Sequence, residues 1–170
     1  MTLSSKINLR IASNLSSALD LVNAQANLSQ SFTAELDSGT AAGQADKVFS
    51  DTRTLAASGT ENLDLAGSLT DALGASLTFA KVKAIYVKAA DANTNNVIVG
   101  GDATTTFFGM FADETDAIVL RPGACFLLAC GEADATAYAV TAATADLLKI
   151  TNSAGGTPVS YDIIIIGTSA

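Results

Sequence analysis

The sequence predicts an all-β fold, a jelly-roll-like β-sandwich. Three observations predict it: short segments alternate apolar and polar residues, turn signals rich in Gly, Asn and Asp separate them, and no long helical pattern runs among them. At 170 residues the chain fits one domain with a substantial core. The expected division is a candidate N-terminal arm over residues 1–12 and a single sandwich domain over residues 13–170.

Residues 11–26 are ambiguous. Ile11, Leu15, Ala18, Leu19, Val22 and Ala26 recur at helical spacing, with Ser13 or Asn14 as a cap, while Leu19 and Leu21 also fit a strand. Strand is the preferred reading. Residues 28–36 alternate cleanly, with Leu28, Phe32, Ala34 and Leu36 on one side and Ser29, Ser31, Thr33 and Glu35 on the other, the pattern of a half-buried strand. Residues 62–65 alternate in the same way, and KVKAIYVK at 81–88 is rich in β-branched and aromatic residues. Segments 97–99, 118–120, 124–128, 147–150 and 159–166 complete the expected strands. Turn signals fall at 37–39, 91–96, 100–101, 121–123 and 153–156. Arg121-Pro122-Gly123 suits a type II turn, because Pro fixes φ at the first central position and Gly accepts a positive φ at the second.

Composition narrows the partners. Hydrophobic residues make up 49% and charged residues 15%, against roughly 25% charged in an average soluble protein. A surface so poor in charge implies that neighbouring subunits cover part of it. The net charge of −8, with nine Lys and Arg, supplies no basic stripe for nucleic-acid phosphates. Residues 1–15 lack the continuous apolar region of a secretory signal. The longest strong apolar run, 124–130, is far short of the roughly 18 residues of a membrane span. Synthesis in the cytoplasm and no membrane partner are the expectation.

The motifs that carry chemistry each have a plainer reading. Cys125 and Cys130 are five apart in a strand-like segment, which sets them about 16 Å apart on opposite faces. A disulfide needs Cα atoms within about 7 Å, so none is expected. The chain has no histidine, which removes the commonest general base and most transition-metal sites. Asp37-Ser38-Gly39-Thr40 matches the loop of aspartic proteases, and Ile165-Ile166-Gly167 resembles their hydrophobic-hydrophobic-Gly element. Only one such Asp loop is present, so that reading requires a symmetric dimer, and Asp-Ser-Gly is also an ordinary turn. Asp91, Asn93, Asn95 and Asp102 echo positions 1, 3, 5 and 12 of a calcium loop. Asn96 stands at its Gly position and Asp102 in place of its Glu, so an Asn-rich hairpin connection is the better account. Gly100-Gly101-Asp102 lacks the Lys-Ser/Thr of a phosphate loop. No catalytic residue, metal or cofactor is expected. Sugar stacking is disfavoured too, since there is no Trp and Tyr86, Tyr138 and Tyr161 fall in or beside expected strands.

Two groups of apolar residues are candidates for subunit contact. Phe107, Phe108 and Phe111 form an aromatic cluster outside the clearest strands, a loop anchor or a subunit contact. In the last strand Tyr161, Ile163 and Ile165 share one face while Ile164 and Ile166 share the other. A sandwich strand turns only one face inward. Another chain, or a loop of the same chain, must cover the second.

Four stretches together resemble a group of tailed-phage and prophage virion structural proteins. They are GTAAGQADKVFSDTRTLAASGTENLDLAG at 39–67, FAKVKAIYVK followed by NNVIVGG within 79–101, DAIVLRPGACFLL at 116–128, and YAVTAATADLLKITNSAGG with SYDIIIIG within 138–167. The resemblance implies a non-enzymatic virion component, a capsid decoration (cement) protein being the first choice. In that role the expected partners are further copies of itself, as a homotrimer, and the phage major capsid protein. The alternatives are a tail or head-fibre attachment module and a dimeric aspartic protease.

Overall fold

The computed structural model describes residues 2–101 and 104–170. It is all-β, with no helix among the described residues. In chain order the strands are β1 (Ser5–Ala18), β2 (Asn23–Ser38), β3 (Gln44–Ala45), β4 (Lys47–Leu55), β5 (Thr60–Asp64), β6 (Leu69–Thr70) and β7 (Ser76–Leu77). They continue with β8 (Lys81–Ala89), β9 (Val97–Gly100), β10 (Ala117–Leu120), β11 (Cys125–Ala129), β12 (Tyr138–Ala139), β13 (Leu147–Asn152) and β14 (Val159–Thr168).

Two antiparallel sheets make the sandwich. One runs β11-β8-β14-β4, with β12 also pairing β8, and the other runs β10-β9-β13-β5. Their inward residues follow from the period of two. Ile85, Val87, Ala89, Tyr161, Ile163 and Ile165 of the first sheet meet Leu63, Val97, Val99, Leu120, Leu148 and Ile150 of the second in one buried cluster. Phe107 joins that cluster from the 104–116 connection and is fully buried.

Special backbone positions are chosen by sequence. Ala124 N–H donates to Arg121 O at 2.9 Å and Gly123 has φ +76°, so Arg-Pro-Gly forms the expected turn. At Gly167 the register of β14 against β8 shifts, and a Cβ there would lie 2.1 Å from Lys81 O. Only glycine allows the two strands to stay that close.

The largest departure from expectation is at the N-terminus. β1 and β2 pair in register from Ser5↔Leu36 to Ala18↔Asn23 and form one long hairpin. The division expected at residue 12 falls inside β1, and residues 13–38 belong to this hairpin instead of the sandwich. No helix forms over residues 11–26. Leu19 N–H donates to Val22 O at 2.9 Å, so the apparent helical spacing came from two strands meeting at a turn.

The hairpin also answers the question of the last strand. Its root residues Ile7, Ala34 and Leu36 are buried with Ala84 and against Ile166, so the chain covers that end of the outer face itself. Full burial of Ile7 and Leu36 is worth about 3–6 kcal/mol together, which anchors the hairpin to the body. Glu35 N–H adds a bond of 2.7 Å to Glu132 Oε1.

Candidate assembly surface

Beyond its root the hairpin leaves the sandwich. Every residue from 8 to 31 is exposed, and the pairs from Leu9↔Phe32 to Ala18↔Asn23 extend about 35 Å at ~3.4 Å per residue. Residues opposite each other in an antiparallel pair share a face, so the register assigns every side chain. One face carries Ile7, Leu9, Ile11 and Leu15 with Ala34, Phe32, Leu28, Ala26 and Ala24, interrupted by Gln30, Ser13 and Ser17. The other carries Lys6, Asn8, Arg10, Asn14 and Ser16 with Glu35, Thr33, Ser31, Ser29, Asn27 and Gln25. Lys6 pairs with Glu35 across the strands and holds its carboxyl below the usual range, while Thr33 Oγ1 donates to Asn8 Oδ1 at 3.1 Å.

This mainly apolar face therefore runs from a buried root to an uncovered end. Of the eleven large hydrophobics exposed among the described residues, seven lie in this arm: Leu9, Ile11, Leu15, Leu19, Leu21, Val22 and Leu28. Hairpin tips are ordinarily polar, yet Leu21 is 99% exposed. Where the arm departs, Leu9 and Phe32 line a shallow recess of about 190 Å³ with Leu127, Leu128 and Ala129 of β11. A two-stranded ribbon alone is marginally stable in water, so an arm of this length needs its apolar face covered.

The residues anticipated for contact divide. Tyr161, Ile163, Ile165 and Phe107 fill the sandwich core, which corrects their assignment to a surface. Ile166 is partly covered by the hairpin root, whereas Ile164 is 39% exposed beside it. Phe108 is exposed and Phe111 half-buried. The main apolar surface, Leu9, Ile11, Leu15 and Leu28, was missed. Its signal was present as alternation through residues 7–15, but Ile11, Leu15, Ala18 and Leu19 also fall on a helical period.

The other motifs take structural parts. Asn93 exchanges two bonds with the Ser160 backbone at 2.8 Å each, and the Asn95 amide reaches Asn152 Oδ1 at 3.0 Å and Thr157 O at 3.1 Å. These carboxamides clamp neighbouring loops and do not converge on a point. Asp91 pairs with Lys88, and Asp102 lies outside the described residues. Asp37 is exposed at the end of β2, where its N–H donates to Gly43 O at 3.0 Å. Cys125 and Cys130 are free, the first exposed and the second buried, as opposite faces require. Among the described residues no group of three His, Cys, Asp or Glu is placed to hold a metal ion. No helix among them is long and apolar enough to cross a membrane.

A polar cluster bridges the two sheets. Arg53 of β4 donates to Glu61 of β5 through Nε at 2.7 Å and to Asp51 through Nη1 at 2.8 Å, while Tyr161 of β14 donates to Glu61 Oε1 at 2.5 Å. Burial and the Glu61 carboxylate hold the Tyr161 phenol well above its ordinary value. With both carboxylates bound to the guanidinium, the cluster ties the edge strands β4 and β5 of the two sheets. No protein-family model matches the chain, and neither a curated protein nor a solved structure matches it.

Proposed function

We propose that this protein is a bacteriophage virion structural protein, a capsid decoration protein that binds the major capsid protein and stabilises the head. The observation that carries the reading is the hairpin arm: a folded element about 35 Å long that presents an uncovered apolar face is a device for joining neighbours. The resemblance of four sequence blocks to virion structural proteins supports the setting. The strand order supports a jelly-roll reading of the sandwich. Numbered along the chain, the eight sandwich strands β4, β5, β8, β9, β10, β11, β13 and β14 run 1-8-3-6 in one sheet and 2-7-4-5 in the other, the arrangement of two interleaved Greek keys.

The mechanism is mass action. A protein that binds the assembled lattice and not its dissociated subunits stabilises the lattice by RT ln(1 + [L]/Kd). Stripping the protein from virions is expected to lower their resistance to heat and chelators, and adding it back to expanded heads is expected to restore it. Unchanged resistance together with no rebinding would contradict the role. Immunogold labelling separates the head from the tail: many labels over the head fit decoration, and a few at one vertex fit the attachment module.

A further inference from the structure

We infer that the arm is an exchange element: its apolar face is buried by a second copy of this chain, which returns its own arm in the same way. The inference rests on the reading above of the arm as a device for joining neighbours, and it names the neighbour.

Area decides between occupants. A ribbon about 35 Å long and about 10 Å wide covers roughly 350 Å² on its apolar face, so one arm laid on an unrelated partner buries about 700 Å² in total. That falls below the roughly 1,000 Å² that a specific interface needs. When two copies each give and receive an arm, the total rises to about 1,400 Å², within the standard range. Another copy of the same chain supplies that second arm by symmetry.

The surface of the body fits the same occupant. Beside the arm's point of departure lies the recess formed by Leu9, Phe32, Leu127, Leu128 and Ala129, large enough for one or two aliphatic side chains. The arm carries matching side chains at its far end, Leu19, Leu21 and Val22. A sandwich of about 130 residues has a radius of gyration near 14 Å and hence a width of about 36 Å. An arm of about 35 Å therefore spans one neighbour from edge to edge. The arm itself brings no net charge onto the acidic body, because between residues 8 and 31 only Arg10 and Asp20 are charged and they cancel.

The test is the mass of the purified protein in solution, with no particle present. Light scattering at micromolar concentration is expected to give a multiple of the 17.2 kDa chain. The pair Leu15→Asp and Leu28→Asp, on the apolar face, is expected to reduce it to the single-chain mass. Both side chains are exposed and far from the sandwich, so the urea midpoint of the body serves as a check that the variant is folded. The matched pair Asn14→Asp and Ser29→Asp, on the polar face at equivalent register, is expected to leave the native mass unchanged. A native protein of single-chain mass, an apolar-face variant that keeps the native mass, or a polar-face variant that dissociates would each overturn the inference. A monomer that still binds heads would overturn arm exchange alone and leave the virion role intact. An oligomer that binds no particle would do the reverse.

Discussion

Tyr161, fully buried in β14, donates its phenolic proton to Glu61 Oε1 at 2.5 Å, and Glu61 in turn holds Arg53, so one carboxylate ties together three strands of two sheets. Tyr161→Phe removes the donor and is expected to cost about 2 kcal/mol in urea unfolding at pH 7. The effect is expected to depend on pH. The folded phenol is raised above the ordinary value of 10.0, so above about pH 10 the unfolded chain releases a proton that the folded chain keeps. Stability present below that pH is then lost as pH rises, at ~1.4 kcal/mol per unit. The gap between the native protein and Tyr161→Phe is expected to narrow between pH 9 and pH 11, and a gap independent of pH would contradict the buried, neutral phenol.

Asn152 does the corresponding work at the loops around β13. Its amide donates to Ala56 O and Thr157 O at 2.9 Å each, and its oxygen accepts from Asn95 Nδ2 at 3.0 Å. Asn152→Ala leaves these groups without partners and is expected to cost about 3 kcal/mol, measured by chemical denaturation. Asn152→Asp is expected to be at least as damaging, because a carboxylate faces two carbonyl oxygens that previously accepted hydrogen bonds. A stable Asp variant would show that the carbonyls are turned elsewhere.

The two thiols offer a chemical check on β11. Burial, and then the nearby Asp134 carboxylate, push the Cys130 thiol up to about 11, whereas Cys125 is exposed. Ellman's reagent at pH 8 is expected to titrate one thiol rapidly in the folded protein and two in urea. Two fast thiols under native conditions would place Cys130 at the surface.

Strands are legible where alternation or a run of β-branched and aromatic residues marks them. Residues 28–36 alternate because the root of β2 packs on Ala84 and Ile166, and 81–88 reads as a strand because β8 is buried from Val82 to Ile85. β4 went unread for the opposite reason. Between its buried Phe49 and Leu55 lie Ser50, Asp51, Thr52, Arg53 and Thr54, the polar content of an edge strand. The arm is hidden differently: nothing of its own chain covers it beyond the root, so alternation along β1 has no burial to sharpen it, and its turn carries Asp20-Leu21 without the usual Gly. The sequence instead draws attention to the last strand, whose isoleucines are apolar on both faces. One face fills the core, and the hairpin root covers part of the other.

A reconstruction of the intact particle tests the role most directly. The account calls for many copies over the head, each sandwich resting on capsid subunits and each arm lying on an adjoining copy with Leu15 and Leu28 out of solvent. Heads with no density for this chain, in a preparation where it remains free in the supernatant, would contradict the account.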